Sequence, residues 1–479
     1  MLGLYLPLLV VLVPASTYAL HVLSITTLGP DPPTVNRLNG ESYQQDPLVT
    51  FNGYQYAAFW TSDITNASVR HANVARRLLP NGDWQGFQFM DYNQTEDDGH
   101  DTISLGISRG DGSLHLIFDQ HDNPLHYRVS VPGIATYPTE VEFGSHLFGP
   151  VMNFLPGLEE LDKSTHFINI TYPRFLVMPT ARSTQADLLL EMRVGRSGLG
   201  DDWLYHYTPG GNWTLIGKYL QGVNNNAYIN GLDFDHMGNL HTTWTYRDFI
   251  NDTGKDVAVQ AGPNGPENNH DMNFAYSPDF GLTWRNNWGQ LIAKMGANAS
   301  SENPDIPIVP VSVGITMFGI PKFGGILNQE AQTVDGEGRV HVLNRENTTG
   351  VEQWYHYWRD TTINWTRTPL PLSLSSRSIN NITNTPTVIG KRGKLVAPPG
   401  TDTLLAILPD NSPNSTGLSI LASTARKRFE DWDILWEASE GCGWEPLFDR
   451  YRLDATVGDG VLSLLLVNGS DVNVLDLKI

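Results

Sequence analysis

The feature that most constrains the fold of this chain is a pattern of short strands that recurs seven times. Each unit has a turn, a strand of alternating apolar residues, a second turn, and a further strand that mostly ends near a Trp. The units begin at Gly53, Gly112, Asp187, Gly238, Gly338, Gly393 and Gly460. Because helical periodicity is nearly absent, the repeat predicts an all-β fold, a seven-bladed β-propeller of four-stranded antiparallel blades. A stack of β-sandwiches is the alternative that so degenerate a repeat leaves open.

The two ends of the chain carry a pattern that would close such a ring. The seventh unit is short and ends at Ile479, whereas an alternating run from His21 to Ile25 precedes the first unit. We expect this run to supply the missing strand, which would leave only short, protected sheet edges. The segment from Ser277 to Trp284 has the sequence of an Asp-box hairpin, which is a marker of the fold and says little about chemistry.

Residues 1–20 are almost wholly apolar and end in small residues, which is typical of a secretory signal peptide. We assign residues 21–479 to a single catalytic propeller domain. No other stretch approaches the ~20 apolar residues that a membrane-spanning helix needs. Eleven Asn-x-Ser/Thr sequons agree with export, at Asn66, Asn93, Asn169, Asn212, Asn251, Asn298, Asn347, Asn364, Asn381, Asn414 and Asn468. The sequence therefore predicts a secreted, extracellular glycoprotein.

The composition limits the partners and cofactors. The net charge of -20 argues against nucleic acid and against an anionic membrane, although a local pocket of Arg and His could still bind an acidic sugar. Cys442 is the single cysteine and lacks the surroundings of a thiol enzyme, so we interpret it as a small buried side chain. No zinc-ligand spacing is present, so we predict no catalytic metal and no cofactor. The Asp- and Asn-rich loops leave a structural Ca²⁺ open. We expect a monomer.

Two histidines carry the strongest chemical signal. His100 and His121 lie 21 residues apart, on either side of a predicted strand that contains His115. His115 recurs at the same blade position as His241 and His341, which favours a packing role for those three. His100 and His121 depart from that position, and paired strands can bring them to one rim of a sheet. Imidazole is the side chain best suited to move protons near neutral pH.

Three further segments lie at strand ends or loops, where a propeller places ligand-binding side chains. They are Tyr172-Pro173-Arg174-Phe175, Arg193-Val194-Gly195-Arg196-Ser197-Gly198 and Asn226-Ala227-Tyr228-Ile229-Asn230. Arg is the natural partner of a carboxylate because its guanidinium is bidentate and always charged. These groups suit β-elimination at a uronic acid. An Arg would neutralise the carboxylate, a His or Tyr would take the C5 proton, and the same or a second residue would protonate the leaving C4 oxygen.

The sequence resembles the neuraminidase-type-repeat (BNR) polysaccharide lyases. The resemblance rests on the run from Gly99 to Ile107 with His121 downstream, on Tyr172-Pro173-x-Phe175, on Arg193-x-Gly195-x-Ser197-Gly198 and on Asn226-Ala227-Tyr228, and it extends to Arg450. This family includes the propeller ulvan lyases and the fungal L-rhamnose-α-1,4-D-glucuronate lyases, and the likeness is greater to the fungal branch. It implies an acidic plant-type or algal polysaccharide as substrate, with release of terminal L-rhamnose from rhamnosyl-glucuronate caps of arabinogalactan or gum arabic.

The resemblance also implies residue roles. The catalytic positions match His100, His121, Tyr172 and Arg193, with His100 as the proposed base and Arg193 as the group that neutralises the carboxylate. We assign substrate binding to Arg174, Arg196, Tyr228, Asn230, Arg247 and His270. Which of the two histidines and Tyr172 takes the proton, and which returns it, stays open. Asp101 stands where Asn is expected in ulvan lyases, and Arg174 where Gln is common, so the sugar can differ from theirs.

Three alternatives compete with this reading. Within the lyase family, an endo-acting enzyme would cut ulvan-type chains into oligosaccharides. A sialidase-like hydrolase would need an arginine triad with a Tyr/Glu pair, and a glycosidase would need two carboxylates facing one bond; neither is apparent. A carbohydrate-binding propeller without catalysis would not depend on His100 for its activity.

Overall fold

The computed structural model describes residues 20–44, 46–179, 185–196, 200–222, 226–247, 268–296, 304–371, 391–410 and 415–479. The predicted signal peptide lies outside these residues except for Leu20, as do the sequons at Asn251, Asn298, Asn381 and Asn414. Within the described residues, thirty strands form seven antiparallel sheets. The seven-bladed propeller predicted from the repeat is therefore confirmed, and each sheet is one blade.

The blade that closes the ring joins the two ends of the chain. Its strands are β1 (His21–Pro30), β28 (Leu447–Phe448), β29 (Val461–Val467) and β30 (Asp471–Lys478), in the spatial order β1-β30-β29-β28. The N-terminal strand therefore pairs with the C-terminal strand, with His21 opposite Lys478. The expected closure is confirmed, and it ties the first unit to the last by backbone hydrogen bonds.

Blades 1, 5 and 6 follow the four-stranded plan. Blade 1 has β2 (Leu48–Phe51), β3 (Tyr54–Ser62), β4 (Arg70–Leu78) and β5 (Gln85–Gln88). Blade 5 has β20 (Ala331–Val334), β21 (Val340–Glu346), β22 (Gln353–Arg359) and β23 (Trp365–Pro369). Blade 6 has β24 (Lys394–Val396), β25 (Thr403–Pro409), β26 (Leu418–Thr424) and β27 (Asp433–Ala438).

Blades 2, 3 and 4 depart from four strands. Blade 2 has three, β6 (Ile103–Ile107), β7 (Leu114–Phe118) and β9 (Tyr127–Val129). Blade 3 has β10 (Ile170–Val177), β11 (Leu188–Val194), β12 (Asp201–Thr208) and β13 (Asn212–Leu220), and it gains β8 (His121–Asn123) beside β10. Blade 4 has β14 (Ala227–Phe234), β15 (Leu240–Tyr246), β16 (His270–Ser277), β17 (Thr283–Arg285), β18 (Leu291–Lys294) and β19 (Thr316–Phe318).

Helical structure is minor among the described residues. It comprises one α-helical turn at Lys163–His166 and 3-10 turns at Ser145–Leu147 and Ala425–Lys427. None of the described helices is long and apolar enough to cross a membrane. The first strands of neighbouring blades contact one another, as β6 does β10 and β14 does β20, so these strands surround the propeller axis.

The repeated histidines belong to the hairpins of their blades. His241 and His341 are buried, and each places Nε2 on a turn aspartate, 3.0 Å from Asp235 and 3.2 Å from Asp335. His115 contacts Ser113 in the equivalent turn at 2.9 Å. These contacts satisfy buried polar atoms, which gives the recurring position a packing explanation.

The Asp box and Cys442 have the form that the sequence predicted. In the Asp box, Asp279 accepts the backbone N–H of Thr283, and the buried Trp284 donates to the carbonyl of Gly281. Gly281 has φ +96°, the left-handed region that favours glycine. Cys442 is buried and free, and burial raises the pKa of its thiol to about 12.

Candidate active site

His100 and His121 stack face to face beside one carboxylate. Their ring centroids are 3.8 Å apart and their planes differ by 18°. The Nδ1 atom of His100 lies 2.5 Å from Oδ1 of Asp98, and the Nδ1 atom of His121 lies 2.6 Å from Oδ2 of the same residue. Both imidazoles are half-buried, with 30% of each side chain exposed. The Nε2 atoms lie on the opposite ring edges, away from Asp98.

The local strand pairing explains how the two rings meet. The β6–β7 hairpin pairs Ile103 with Phe118, so the residues just before β6 and just after β7 lie at the same end of blade 2. The chain then crosses to blade 3, where His121 pairs with Thr171 of β10. Thr171 in turn pairs with Arg193 of β11. Thr171 therefore connects His121 and Arg193 through neighbouring strands.

Three tyrosines form a small buried cluster beside the histidines: Tyr43, Tyr172 and Tyr228. The ring of Tyr43 stacks on His100 at 5.3 Å and meets Tyr172 edge to face at 5.2 Å. Tyr172 lies 5.7 Å from His100 and 6.0 Å from Tyr228. These rings come from the starts of blades 1, 3 and 4, so the site lies at the end of the propeller where the first strands begin.

The backbone at Tyr172 is strained. Tyr172 has φ +58°, which is uncommon for a bulky residue, and the register between β10 and β11 shifts between Thr171 and Arg174. Asp122, whose backbone N–H donates to the side chain of Thr171, has φ +59°. Strained conformations of this kind cost of order 1–3 kcal/mol each and cluster at functional sites.

Arg193 is the buried cation of the site. Its guanidinium lies 5.0 Å from the Tyr172 ring centroid and donates through Nη2 to Thr171 at 3.0 Å and to Asp122 at 3.2 Å. Only 3% of its side chain is exposed. Its buried Nε has no hydrogen-bond partner among the described residues. Arg193 therefore retains a donor for a further acceptor.

Blade 4 adds a second cation and a histidine to the same end. The guanidinium of Arg247 lies 4.4 Å from the Tyr228 ring centroid, and it donates to Asn269 at 3.1 Å and to Asn328 at 2.8 Å. His270 lies at the start of β16 with its Nδ1 atom 2.9 Å from Asp271.

A buried charge network holds the loop that carries Tyr43. Arg392 pairs with Glu445 at 3.0 Å, and its guanidinium lies 5.8 Å from the Tyr43 ring centroid. Glu445 also accepts the backbone N–H of Ser42, and Lys394 donates to the Ser42 carbonyl at 2.7 Å. Burial lowers the pKa of Lys394 to about 7, against the opposing effect of Glu445. This network holds the loop from which Tyr43 stacks on His100.

The electrostatics distinguish the members of the site. Burial lowers the pKa of His100 to about 4, although the hydrogen bond to Asp98 acts in the opposite direction. Burial alone would raise the pKa of Asp98, but its hydrogen bonds with His100 and His121 outweigh burial and hold that pKa well below its usual value. Burial raises the pKa of Tyr172. At neutral pH, Asp98 is ionised and His100 is able to accept a proton.

Some predicted site residues lie elsewhere. Arg174 is buried in an ion pair with Glu191 at 2.8 Å, and Asn230 is buried between blades 4 and 5, where it bonds Thr243. The structure brings neither to the histidine pair. Arg196 is exposed at the end of β11, and the adjacent residues 197–199 of the predicted Arg-Gly motif lie outside the described residues.

Asp98, Tyr43 and Asp122 belong to the site although the sequence did not single them out. Asp98 lies in an acidic stretch and resembles a solvated charge run. Its spacing of two residues from His100 was the available signal. Tyr43 lies in a loop before the first repeat unit, where no motif marks it.

Among the described residues, Asp98, His100 and His121 have ligand atoms within 4.8 Å of one another, the spacing that a shared cation needs. The parallel rings direct both Nδ1 atoms at the carboxylate rather than toward a common point beside it. We therefore interpret the group as a hydrogen-bonded triad in which two Nε2 atoms are available for proton transfer.

Comparisons with known proteins agree with this architecture. Residues 54–372 match the model of a BNR repeat-containing family. An ulvan lyase (long isoform) of Alteromonas sp. (strain LOR) is 27% identical over 228 residues, which are 40% of this chain and 21% of that protein. The chain thus spans about a fifth of that relative's length. The crystal structure of the polysaccharide lyase Uly1 matches 92% of this chain and 91% of its own, with a TM-score of 0.64 and 15% identity. At 15% identity, this structural similarity shows that the two chains share a fold.

Proposed function

The chain belongs to the BNR repeat-containing family, and from this premise we propose that it is a polysaccharide lyase. It cleaves the glycosidic bond to C4 of a glucuronic acid by β-elimination. The observation that carries the proposal is the half-buried pair of His100 and His121 on Asp98, with Arg193 two strands away. The likeness to an ulvan lyase supports the same reaction class.

Arg193 supplies the charge that the reaction needs. Removing the C5 proton places negative charge on the adjacent carboxylate, and a fixed guanidinium lowers the cost of that charge. The buried Nε of Arg193, which has no partner among the described residues, would donate to the carboxylate. An unsatisfied buried donor costs about 1–3 kcal/mol, so bound substrate would relieve that cost.

The histidines supply the proton transfers. His100 is neutral at neutral pH, because burial lowers its pKa to about 4, and its free Nε2 can take the C5 proton. A second group within reach then protonates the C4 oxygen as the bond breaks. No step needs a metal ion, since Arg193 already neutralises the carboxylate.

We propose the rhamnosyl-α-1,4-glucuronate caps of arabinogalactan or gum arabic as the substrate, with terminal L-rhamnose as the product. This choice rests on the greater resemblance to the fungal branch, including Asp101 where Asn is expected in ulvan lyases. Endo-acting cleavage of ulvan is the second candidate, and the similarity to the Alteromonas ulvan lyase favours it.

Secretion is part of the proposal. Five of the described sequons carry an exposed Asn, namely Asn66, Asn93, Asn212, Asn364 and Asn468. Exposed sequons would accept glycans without disturbing the core. A secreted enzyme would also meet a cell-wall or exuded polysaccharide directly.

Incubation with gum arabic and with ulvan tests these alternatives. The proposal predicts free rhamnose from gum arabic together with a rise in ultraviolet absorbance from the unsaturated uronate. Absorbing oligosaccharides from ulvan without rhamnose release would support the second candidate instead. Sugar release without absorbance would indicate a hydrolase, and binding without any product would indicate a carbohydrate-binding propeller; either result contradicts the lyase proposal.

A further inference from the structure

Asp98 lies within hydrogen-bond distance of the Nδ1 atoms of both His100 and His121. We infer that Asp98 is a positioning residue that lets His100 and His121 share a single proton, so that His100 removes the C5 proton and His121 protonates the C4 oxygen from the same side of the sugar. This inference rests on the proposed β-elimination. That proposal leaves open the acid, the positioning residue and the stereochemistry, and the inference names all three.

The tautomer follows from the hydrogen bonds. An ionised carboxylate is only an acceptor, so an Nδ1 atom at 2.5 Å or 2.6 Å from Asp98 must carry a hydrogen. Both neutral imidazoles therefore have their lone pair on Nε2, the atom away from Asp98. Neither Nε2 has a hydrogen-bond partner among the described residues, so both are available to substrate.

The proton count follows from the stacking. One imidazolium beside Asp98 is stabilised by the opposite charge. Two imidazolium rings with centroids 3.8 Å apart would repel each other strongly in a half-buried site. The pair with Asp98 therefore holds at most one added proton at a time, and with that proton it has one acid and one base.

The contacts around each ring assign the two roles. His100 is stacked by both Tyr43 and His121, so water is less able to solvate a positive charge on it. The backbone of His121 pairs with that of Thr171, whose hydroxyl accepts a hydrogen bond from Arg193. Among the described residues, the His121 ring stacks only on His100. His100, on which a positive charge would be less well solvated, is therefore the base, and His121 is the acid.

The parallel rings fit one stereochemistry. In a glucuronate chair, the axial C5–H and the equatorial C4–O are gauche, so both can be approached from one side. In the C5 epimer, an iduronate, the C5 proton and the C4 oxygen point to opposite sides. Two Nε2 atoms on adjacent stacked rings can reach the first arrangement but not the second. The pair thus selects syn elimination.

The step balances without another reactant. The C5–H bond breaks and its proton passes to Nε2 of His100. The electron pair forms the C4=C5 double bond as the C4–O bond breaks, and the leaving oxygen takes the proton from Nε2 of His121. The pair ends with one proton, as it began, but on the other ring. Exchange with solvent at the two Nε2 atoms restores the starting state.

Asp98→Asn and Asp97→Asn form a matched test in the full-length protein. An Asn side chain can accept from one Nδ1–H but must donate to the other ring, which reverses that ring's tautomer. For Asp98→Asn we expect kcat on the glucuronate substrate to fall about 10²–10⁴-fold with a small change in KM. The kcat–pH profile should also shift. Asp97 is exposed and accepts backbone N–H groups of Val35 and Asn36, so Asp97→Asn should keep kcat within about twofold.

Nuclear magnetic resonance of the imidazole nitrogens separates this role from a structural one. The wild-type protein should show two histidines with Nδ1–H and free Nε2, and Asp98→Asn should show one of them reversed. A folded Asp98→Asn variant with wild-type kcat and pH profile would overturn the inference while the lyase proposal stood. A wild-type protein with no unsaturated product would overturn the lyase proposal itself.

Two substrate comparisons test the inference even if Asp98→Asn fails to fold. The wild-type enzyme should prefer the glucuronate over its C5 epimer by about 100-fold or more, and equal rates would overturn the syn assignment. In His121→Ala, a 4-O-aryl glucuronate, whose leaving group needs no acid, should recover most of the lost rate. It should recover none in His100→Ala. Equal recovery in both variants would overturn the roles given to the two rings.

Discussion

Two histidine pairs in the molecule each stack beside one aspartate, the blade 2 pair of His100 and His121 and the blade 5 pair of His341 and His356, but the hydrogen bonds run differently. The blade 2 pair is named after the β6–β7 hairpin that its two residues flank, although His121 itself pairs with β10 of blade 3. Both of its histidines direct Nδ1 at Asp98, and their Nε2 atoms have no partner among the described residues. Their side chains are 30% exposed. That pair has two open nitrogen atoms at a half-buried surface.

The blade 5 pair uses its nitrogens in a chain. His341 contacts Asp335 through Nε2 at 3.2 Å and His356 through Nδ1 at 3.0 Å, and the ring centroids are 5.2 Å apart. Both histidines are fully buried, and Phe429 and Trp432 pack around them. Burial lowers the pKa of both rings. The residue types are the same, so exposure and hydrogen-bond direction separate a candidate catalytic pair from a packed one.

Removing one ring from each pair should give the largest contrast. We expect His100→Ala to lower kcat about 10³-fold or more with little change in the melting temperature, because the ring is half-exposed and moves a proton. His341→Gln should lower the melting temperature and leave kcat per folded molecule unchanged, because the ring is fully buried and its described hydrogen-bond partners lie within its own blade. Initial rates and thermal unfolding of both variants check this. Full turnover by His100→Ala would contradict the catalytic role that separates the blade 2 pair from the blade 5 pair.

A change at Arg193 should affect the blade 2 pair, because Arg193 lies beside it, and not the blade 5 pair. Arg193→Lys keeps the charge but loses the planar fork, so we expect kcat/KM to fall about 10²–10³-fold, as when one donor to a developing oxyanion is lost. The blade 5 pair and its stability at low pH should be unaffected. Steady-state kinetics on a glucuronate substrate provide the measurement, and an unchanged kcat/KM would exclude Arg193 from carboxylate binding.

The blade 5 pair should instead control stability at low pH. Burial lowers the pKa of His341 and of His356 in the folded protein, while unfolded histidines take protons near their ordinary pKa of 6.5. The unfolding free energy therefore falls as the pH drops below about 6.5. His356→Gln should cost about 1–3 kcal/mol at pH 7 but lose less further stability on acidification than the wild type. Denaturant unfolding at several pH values checks this, and parallel pH curves would refute it.

A change at Asp101 should have the smallest effect on kcat. Burial, together with Asp119 and Asp98, raises the pKa of Asp101 to about 9, so it is protonated at pH 7 and resembles Asn. An unfolded Asp releases that proton near its ordinary pKa of 3.8, so wild-type stability falls as the pH rises from about 4 to about 9. Asp101→Asn should remove this slope and change kcat less than about threefold. Unfolding curves across that pH range test it, and a slope retained by the variant would contradict it.

The sequence predicted the architecture because the repeat repeats the same physical pattern in every blade. It predicted the closing strand from His21, the convergence of His100 and His121, and the packing role of His115. It did not predict that blade 2 has three strands, or that β8 pairs with β10 of blade 3. Strand alternation alone carries no information about which blade a short strand joins.

Arg174 and Asn230 were assigned to substrate binding because their segments open the third and fourth units, at strand ends where a propeller places ligand-binding side chains. Each also follows a tyrosine of the site, Tyr172 or Tyr228, by two residues, and a strand with strict alternation would place both side chains on the same face. The register shifts between Thr171 and Arg174 in β10 and between Ile229 and Gly231 in β14, so that spacing no longer holds. Bulges of this kind depend on the neighbouring strands, which a single sequence does not show.

The removal of the C5 proton by the blade 2 pair is the central claim, and a substrate with deuterium at C5 tests it most directly. Mass spectrometry of the cleaved uronate measures whether the deuterium is lost. We predict an unsaturated product without deuterium from the wild-type enzyme and almost no product from His100→Ala. A saturated product that retains the deuterium and has gained a water would contradict the account.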